Sequence, residues 1–310
     1  MSNPLVTVIL PAYNHQEFVE DSINAIIGQD YQNIELIILN DGSKDNTHQV
    51  ISSLLDKCKA RFVRFEYVNK TNEGLANTLN QGVFWSKADY VTVIASDDIM
   101  KSNKVSVLLK ALLGTSNEIA LSYADADFID SHGNYIFLDD KGDVCQSNTG
   151  WGTFISFYTR RRKDIKGDFF DYTILLKGNF LPAMSVMWKA DALKKVGMFT
   201  PNIIIEDWDL WLRMARSFQG VYVPHVVASY RWHETNTVKT AKVKLLKAQD
   251  LILKREFYFE DNKKKIKNII LYLLFLNGAR LFFAKEYSFA MKSLLDVGLM
   301  FLGAKQKVKI

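Results

Sequence analysis

The chain has few of the residues that break or staple a fold: 5 prolines, 16 glycines and 2 cysteines in 310 positions. Cys58 and Cys145 stand far apart with no metal-ligand spacing around them. That excludes a disulfide framework and a zinc module as the basis of the fold. Long apolar runs are also missing. The longest, Ile269 to Leu276, covers eight residues, against the roughly 20 that a helix needs to cross a bilayer, so no spanning segment is expected. Met1-Ser2-Asn3-Pro4 leads straight into an apolar strand without the basic stretch and cleavage site of a secretory leader, and the expectation is a cytosolic protein. Neither a Gly-rich dinucleotide fingerprint nor a Gly-to-Lys-Ser/Thr phosphate loop occurs, so the usual backbone cradles for phosphate are absent.

What is present is an ordinary globular composition, 48% hydrophobic, 24% charged and 13% aromatic. Disordered, collagenous and low-complexity classes are thereby excluded. The formal charge of +5 is unevenly spread. From Lys239 onward there are 16 Lys and Arg against 6 Asp and Glu, an excess of ten positive charges that leaves a net −5 for residues 1–238. A basic tail on an acidic body suits anionic headgroups, nucleic acid or an acidic partner. Nucleic acid is not expected, because the acidic body carries no recognisable nucleic-acid module.

Over the first hundred residues, short β-branched runs at Val6–Leu10, Glu35–Leu39, Phe62–Val68 and Tyr90–Ile94 alternate with stretches of helical spacing. The helical faces read Phe18, Ile23, Ile26 and Ile27, then Val50, Ile51, Leu54 and Leu55, then Leu75, Leu79, Val83 and Phe84. Such alternation predicts an α/β fold, a parallel sheet with helices on both faces. In that architecture the chemistry gathers beyond the carboxyl ends of the strands. Pro11-Ala12-Tyr13-Asn14, Asn40-Asp41-Gly42-Ser43 and Ala95-Ser96-Asp97-Asp98 follow three of the four strands and should share one crevice. Downstream, Glu118–Phe137 reads as a hairpin turning at residues 130–134. Residues 139–167 read as a mobile loop, basic at Arg160–Lys163. A helix over Phe169–Lys177, a strand near Met184–Trp188 and a helix from about Glu206 complete the body. Beyond Thr237 the pattern is two or three helices.

Carboxylates at strand tips repel phosphate, so a diphosphate beside Asp97 and Asp98 would need a bridging divalent cation. A metal-dependent nucleotide site follows from the residues alone. At this point the order of motifs becomes familiar. Val8-Ile9-Leu10-Pro11-Ala12-Tyr13-Asn14, Ile38 to Thr47 with Asp41-Gly42-Ser43, Asn72-Glu73-Gly74 with Asn80 and Gly82, Ser96-Asp97-Asp98, Glu206-Asp207 with Leu210 to Arg213, and Tyr230-Arg231-Trp232-His233 with Asn236 together resemble the inverting glycosyltransferase family two, which has the GT-A fold. The resemblance spans about residues 5–237. It implies a GT-A catalytic domain over 1–237, with a nucleotide-binding half at 1–100 and an acceptor-side half at 101–237, followed by a basic amphipathic helical region at 238–310.

The resemblance also implies roles. Pro11, Ala12, Tyr13 and Asn14 would pack on the nucleobase, Asp41 would accept from a uracil imide, and Asn72, Asn80 and Ser96 would complete the nucleotide site. Asp97 and His233 would hold Mn2+ or Mg2+ against the diphosphate, with imidazole favouring manganese. Asp207 would be the catalytic base, deprotonating the acceptor hydroxyl as it attacks opposite the leaving group. Asp98, Glu206, Trp208 and Trp211 would serve the acceptor side.

Local alternatives stand beside each role. Asp41-Gly42-Ser43 is also an ordinary turn, Asp97-Asp98 and Glu206-Asp207 are also ordinary acidic helix starts, and Trp211 is equally a core residue. Asp125-Ala126-Asp127 imitates a metal motif but reads as structural, as does Arg213. Two departures are plain: Ala95 stands where the first acid of an Asp-x-Asp motif usually lies, and Leu79 where many members carry Arg. The implied activity is transfer of a hexose or N-acetylhexosamine from a UDP-sugar to a lipid-linked glycan acceptor in surface polysaccharide or O-antigen assembly, at the inner face of the membrane. The Arg160–Lys163 run and the basic tail would meet the diphosphate-lipid acceptor and the anionic leaflet, the alternative for the tail being a packed appendage. Ala95 motivates the competing reading, a non-catalytic nucleotide-sugar-binding or scaffold protein of the same fold.

Overall fold

The computed structural model describes residues 3–147, 149–160, 169–259 and 264–302. Its first half is β1 (Val6–Ala12), α1 (Val19–Ile27), β2 (Ile34–Asp41), α2 (Thr47–Arg61), β3 (Arg64–Lys70), α3 (Leu75–Trp85) and β4 (Tyr90–Val93). The four strands pair in parallel in the order β3-β2-β1-β4. Every residue of β1 and β2 is buried, which is why these segments read as continuous apolar runs instead of alternating ones. Helices cover the sheet with stripes at i, i+3, i+4 and i+7: Val19, Ile23 and Ile26 in α1, then Ile51, Leu54 and Cys58 in α2. In α3 the buried stripe is Ala76, Leu79 and Val83, whereas Leu75 and Phe84 are exposed. The sequence reading placed both on the buried face; a step of one residue turns the side chain by about 100° and out of the stripe. Gly82 lets α3 lie close on β1, since a Cβ there would come within 2.6 Å of Ile9 Cγ2.

The second half contributes β5 (Ile99–Met100), α4 (Lys104–Leu112), β6 (Ile119–Ile129), β7 (Tyr135–Leu138), β8 (Val144–Cys145), α5 (Phe154–Thr159), α6 (Tyr172–Leu176), β9 (Val186–Lys189), α7 (Ala190–Lys195), α8 (Glu206–Ala215) and β10 (Gln219–Arg231). The sheet continues β4-β9-β6-β10-β5, with β9 and β5 antiparallel to their neighbours and β10 parallel to β6. The expected hairpin forms between β6 and β7, with Asp130 Oδ1 accepting from the His132 and Asn134 amides across the turn. The long strand β10 was not foreseen. Pro224 and the register shifts around it break the alternation by which a strand is read.

The stretch read as a loop over 139–167 also holds more order than its composition suggested. Leu138 bridges to Trp151 and Asp127 to Thr153, and α5 buries Phe154, Ile155 and Phe157. Aromatic packing anchors it: the Phe157 ring meets Phe128 edge-on at 5.8 Å. Arg161, Arg162 and Lys163 of the basic run lie outside the described residues.

The C-terminal region is α9 (Thr237–Thr240), α10 (Lys242–Tyr258), α11 (Lys264–Phe283) and α12 (Tyr287–Phe301). Asn277 Nδ2 donates to the Leu246 carbonyl at 2.8 Å, tying α11 to α10. The expectation of no spanning segment rested on the length of the apolar run at Ile269–Leu276, and one described helix extends beyond that run. The helix α11 has 20 residues and, by length and composition alone, is apolar enough to cross a bilayer, because Gly278, Ala279 and Leu281–Phe283 carry the apolar character past the eight-residue run. Together the mixed sheet, its covering helices and the C-terminal helices form the α/β fold that the sequence pattern predicts.

Candidate active site

Because β1, β2 and β4 are parallel neighbours, the segments leaving their carboxyl ends share one edge of the sheet. The three polar clusters do meet there. Asn14, held at a positive φ of 54°, takes the Lys44 amide on Oδ1 at 2.7 Å, and its own amide donates to Ser43 Oγ at 2.9 Å. His15 Nδ1 is 2.8 Å from Ser96 Oγ, joining the first cluster to the third. Pro11 and Ala12 are buried, Tyr13 and Asn14 exposed.

Asp97 is the focus of this edge. Its Oδ2 lies 3.1 Å from His233 Nε2 and 3.7 Å from His15 Nε2. The other nitrogen of each ring is fixed by a hydroxyl: His15 Nδ1 by Ser96, and His233 Nδ1 by Thr235 Oγ1 at 2.8 Å. Asn236 Nδ2 also approaches His233 Nε2, at 3.2 Å. Burial pushes the Asp97 carboxyl up, but the hydrogen bond from His233 and the charges of His15 and His233 outweigh it and hold the group below the usual carboxylate range.

Oriented imidazole nitrogens converging on a carboxylate, each ring anchored through its far nitrogen, are the donor set a divalent cation takes up. Asp97 and His233 are thus brought together, and His15, which sequence reasoning missed, joins them. Its adjacency to the Pro11–Asn14 block was the available signal. Among the described residues no group of three or more His, Cys, Asp or Glu side chains is placed to hold a metal ion, so Asp97 and His233 could hold one only with ligands supplied by a bound substrate.

The supporting frame is Arg231, 1% exposed. Its Nε donates to the Asp97 carbonyl at 2.7 Å and its amide to Asp98 Oδ1 at 2.9 Å. Asp98 is thus buried, with one carboxylate oxygen committed to the Arg231 amide. Burial, then the charge of Asp97, pushes its carboxyl well above the normal range. Lys104 lies buried near it, its ammonium brought down to about 7 by desolvation against the opposing pull of Asp98. Asp98, expected on the acceptor side, borders the cavity while its carboxylate is tied to the Arg231 amide.

Across the same cavity stands the first turn of α8. Asp207 Oδ2 accepts from Asn179 Nδ2 at 2.6 Å, and its Oδ1 accepts from the Trp208 amide at 2.7 Å. Burial raises the Asp207 carboxyl, although the Asn179 bond opposes the rise. Glu206 is pushed higher, to about 8, by desolvation and by the charge of Asp207. Burial and the repulsion of neighbouring carboxylates thus push both carboxyls toward the protonated form, and the two titrate as a pair. Asn179 was not foreseen, since it sits in an unpatterned segment with no motif around it.

Asp97 and Asp207 line one cavity of about 1050 Å³, with Pro11, Tyr158, Tyr230 and Trp232 on its walls. Trp211 also borders it but is fully buried, stacked on Trp188 with ring centroids 5.7 Å apart. The Trp208 indole is buried and donates to the Leu175 carbonyl at 2.7 Å, so it offers no face to a sugar. Asn80, expected at the nucleotide, holds Phe199, its amide donating to the Phe199 carbonyl at 2.8 Å and its Oδ1 accepting the Phe199 amide at 2.9 Å. Asp41 takes the Glu73 and Gly74 amides at 2.9 and 3.0 Å and the Lys70 ammonium at 2.9 Å. Desolvation raises its carboxyl, but these donors outweigh it and the group lies below the normal range. Asn72 caps the same turn through the Asp41 carbonyl at 2.9 Å. Asp125 and Asp127 are structural, taking the Ile155 amide and the Lys101 ammonium. Arg213 is an ion-pair partner of the buried Asp209.

Comparisons with known proteins bear on the family and the fold. The model of glycosyl transferase family 2 matches residues 7–173, more than half of the chain. The chain belongs to glycosyltransferase family 2. An uncharacterised glycosyltransferase of Haemophilus influenzae is 28% identical over 88% of this chain and 95% of its own length. One from Rickettsia typhi is 28% identical over 77% of this chain and 67% of its own. Among solved structures, a mannosyltransferase of Pyrobaculum calidifontis in complex with GDP-Man and Mn2+ superposes with a TM-score of 0.63 at 14% identity, over 99% of this chain and 77% of that one. Residues 1–349 of TarS from S. aureus in complex with UDP-GlcNAc give 0.58 at 14% identity, over 86% and 70%. At such identities these structures establish the fold.

Proposed function

We propose that this family 2 glycosyltransferase transfers a hexose or N-acetylhexosamine from a UDP-sugar to a lipid-linked glycan acceptor, with inversion at the anomeric carbon. One observation carries the reading: Asp97, with the His233 and His15 rings against its carboxylate, and the Glu206–Asp207 pair border a single cavity, Asp97 itself lining its wall. Sugar nucleotides with GDP or UDP in the structural relatives support the donor class.

The acceptor hydroxyl gives its proton to the Asp207 carboxylate as its oxygen bonds to the anomeric carbon, and the bond from that carbon to the diphosphate breaks on the opposite face. Asn179 keeps the base ionised and aimed. Glu206, whose carboxyl burial pushes up to about 8, would serve the acceptor side next to the base. Asp97 and His233 would hold the divalent cation, with His15 beside them; when bound, the cation neutralises charge on the departing diphosphate. Basic residues at the cavity mouth, among them Lys239 and Lys242, suit an acceptor that carries phosphate. Surface polysaccharides such as O-antigen are built on such carriers from cytoplasmic donors, and that is the setting proposed.

A panel of UDP-sugars with Mn2+ tests the reading by UDP release and by NMR of the product's anomeric configuration. Release of UDP, abolished by Asp207→Asn with donor binding retained, is expected. Donor binding without turnover for any sugar or acceptor would favour a scaffold of the same fold, and a retained anomeric configuration would remove the single-displacement scheme.

A further inference from the structure

The C-terminal helices present an apolar surface that the catalytic reading does not use. In α11, Tyr272, Phe275 and Phe282 are exposed at spacings of three and seven residues, which places them on one side of the helix. In α12, Tyr287, Met291 and Leu295 are exposed at successive intervals of four. The two stripes are joined where the chain turns, because the Phe282 and Tyr287 rings lie 5.1 Å apart. Opposite faces are committed to the body: Ile270, Leu274, Asn277 and Leu281 are buried in α11, and Gly278 admits α12 so closely that a Cβ would meet Leu294 at 2.8 Å.

Charge is divided in the same way. The inward bases have carboxylates, Lys247 with Glu286 at 2.7 Å and Lys254 with Asp250 and Asp296 at 2.7 Å. Lys264, Lys265, Lys285 and Lys292 point outward, at the ends of the stripes and between them.

From these observations we infer that the α11–α12 hairpin lies in the surface plane of an anionic lipid bilayer, its aromatic stripes among the headgroups and its lysines on the acidic lipids. Interleaved positive charge selects this occupant over a second copy, since a two-fold contact would set the same lysines against one another. The packed inner face and Arg280, exposed within the apolar stretch, favour lying on the membrane over crossing it. Arg280 also lines the active-site cavity, so docking would turn the cavity mouth toward the lipid surface. The inference about the surface stands independently of the reaction; only its use, delivery of a lipid-borne acceptor, rests on the proposed function.

The test uses the full chain with vesicles of phosphatidylcholine alone or containing about one third phosphatidylglycerol. Co-sedimentation with the anionic vesicles, weakened by salt, released by alkaline carbonate, and reduced more than about tenfold by Phe275→Glu with Leu295→Glu, is the expected result. Lys285→Glu with Lys292→Glu, a surface change outside any packed contact, provides a second variant, and circular dichroism verifies that each folds. UDP release from soluble donor should be unchanged in both variants, so loss of vesicle binding is separable from failure of the chemistry. No binding to anionic vesicles, equal binding to neutral ones, or retention after carbonate would overturn the inference. A concentration-dependent dimer, abolished by the same substitutions in the absence of vesicle binding, would assign the surface to self-association and overturn it too.

Discussion

Removing the Asn179 amide should shift the acid limb of the pH–rate profile upward. Its Nδ2 stands 2.6 Å from Asp207 Oδ2, and a hydrogen bond to an ionised carboxylate contributes about 1.5–3 kcal/mol. The bond favours the charged form, so its loss raises the lower apparent pKa of the Glu206–Asp207 pair. At 1.36 kcal/mol per unit, the shift is about 1–2 units. In Asn179→Ala the base is then protonated over a wider acidic range, and the rate on that limb falls roughly 10- to 100-fold. Above the shifted limb the carboxylate is restored and the rate returns toward that of the parent. UDP release measured from about pH 5 to 9 distinguishes this from general damage, which would lower the rate by one factor throughout. An acid limb that stays in place, whatever the overall rate, would refute the assignment of Asn179 as the residue that keeps Asp207 ionised.

Asp207→Asn should lower kcat by about 10²- to 10⁴-fold with donor affinity little changed, read by single-turnover transfer and by calorimetry. Glu206→Gln should remove the alkaline change in rate. In the parent, protonated Glu206 persists up to about pH 8 and is lost above it, whereas glutamine does not titrate. His233→Ala should weaken Mn2+ binding in the presence of UDP by at least tenfold, and His15→Ala by a smaller factor, as followed by electron paramagnetic resonance of free Mn2+. Arg213→Ala, which leaves the buried Asp209 short of a partner, should cost about 3 kcal/mol in urea unfolding. A loss below 1 kcal/mol would show that Arg255, the other base on Asp209, carries that charge alone.

Much of the first half of the sheet was legible because its grammar is local. A strand buried on both faces reads as an apolar, β-branched run, and a helix on its surface repeats every three or four residues; β1, β2 and α1 to α3 obey these rules. Phe84 and Leu75 deceived for the same reason, since periodicity tolerates one residue too many at a helix end. The strand β10 was hidden by Pro224, and α5 by the polar residues around its buried aromatics. Trp208 and Asn80 belong to recognisable motifs, yet each satisfies a backbone group of the protein itself. A motif fixes residue types at a spacing and leaves open which partner their hydrogen bonds find.

By itself, then, the sequence determined the parallel core, the order of the strand-tip clusters and the placing of carboxylates where a phosphate-bearing ligand would sit. Local propensity and hydrophobic period suffice for those features. Tertiary structure alone decided the partners. Asp97 meets His233 across 136 positions, Asn179 reaches Asp207 across 28, and Asp98 turns inward to Arg231 across 133. Strand order and helix packing set those encounters. No short-range pattern encodes them, because each depends on which distant segments the burial of apolar surface forces to lie side by side.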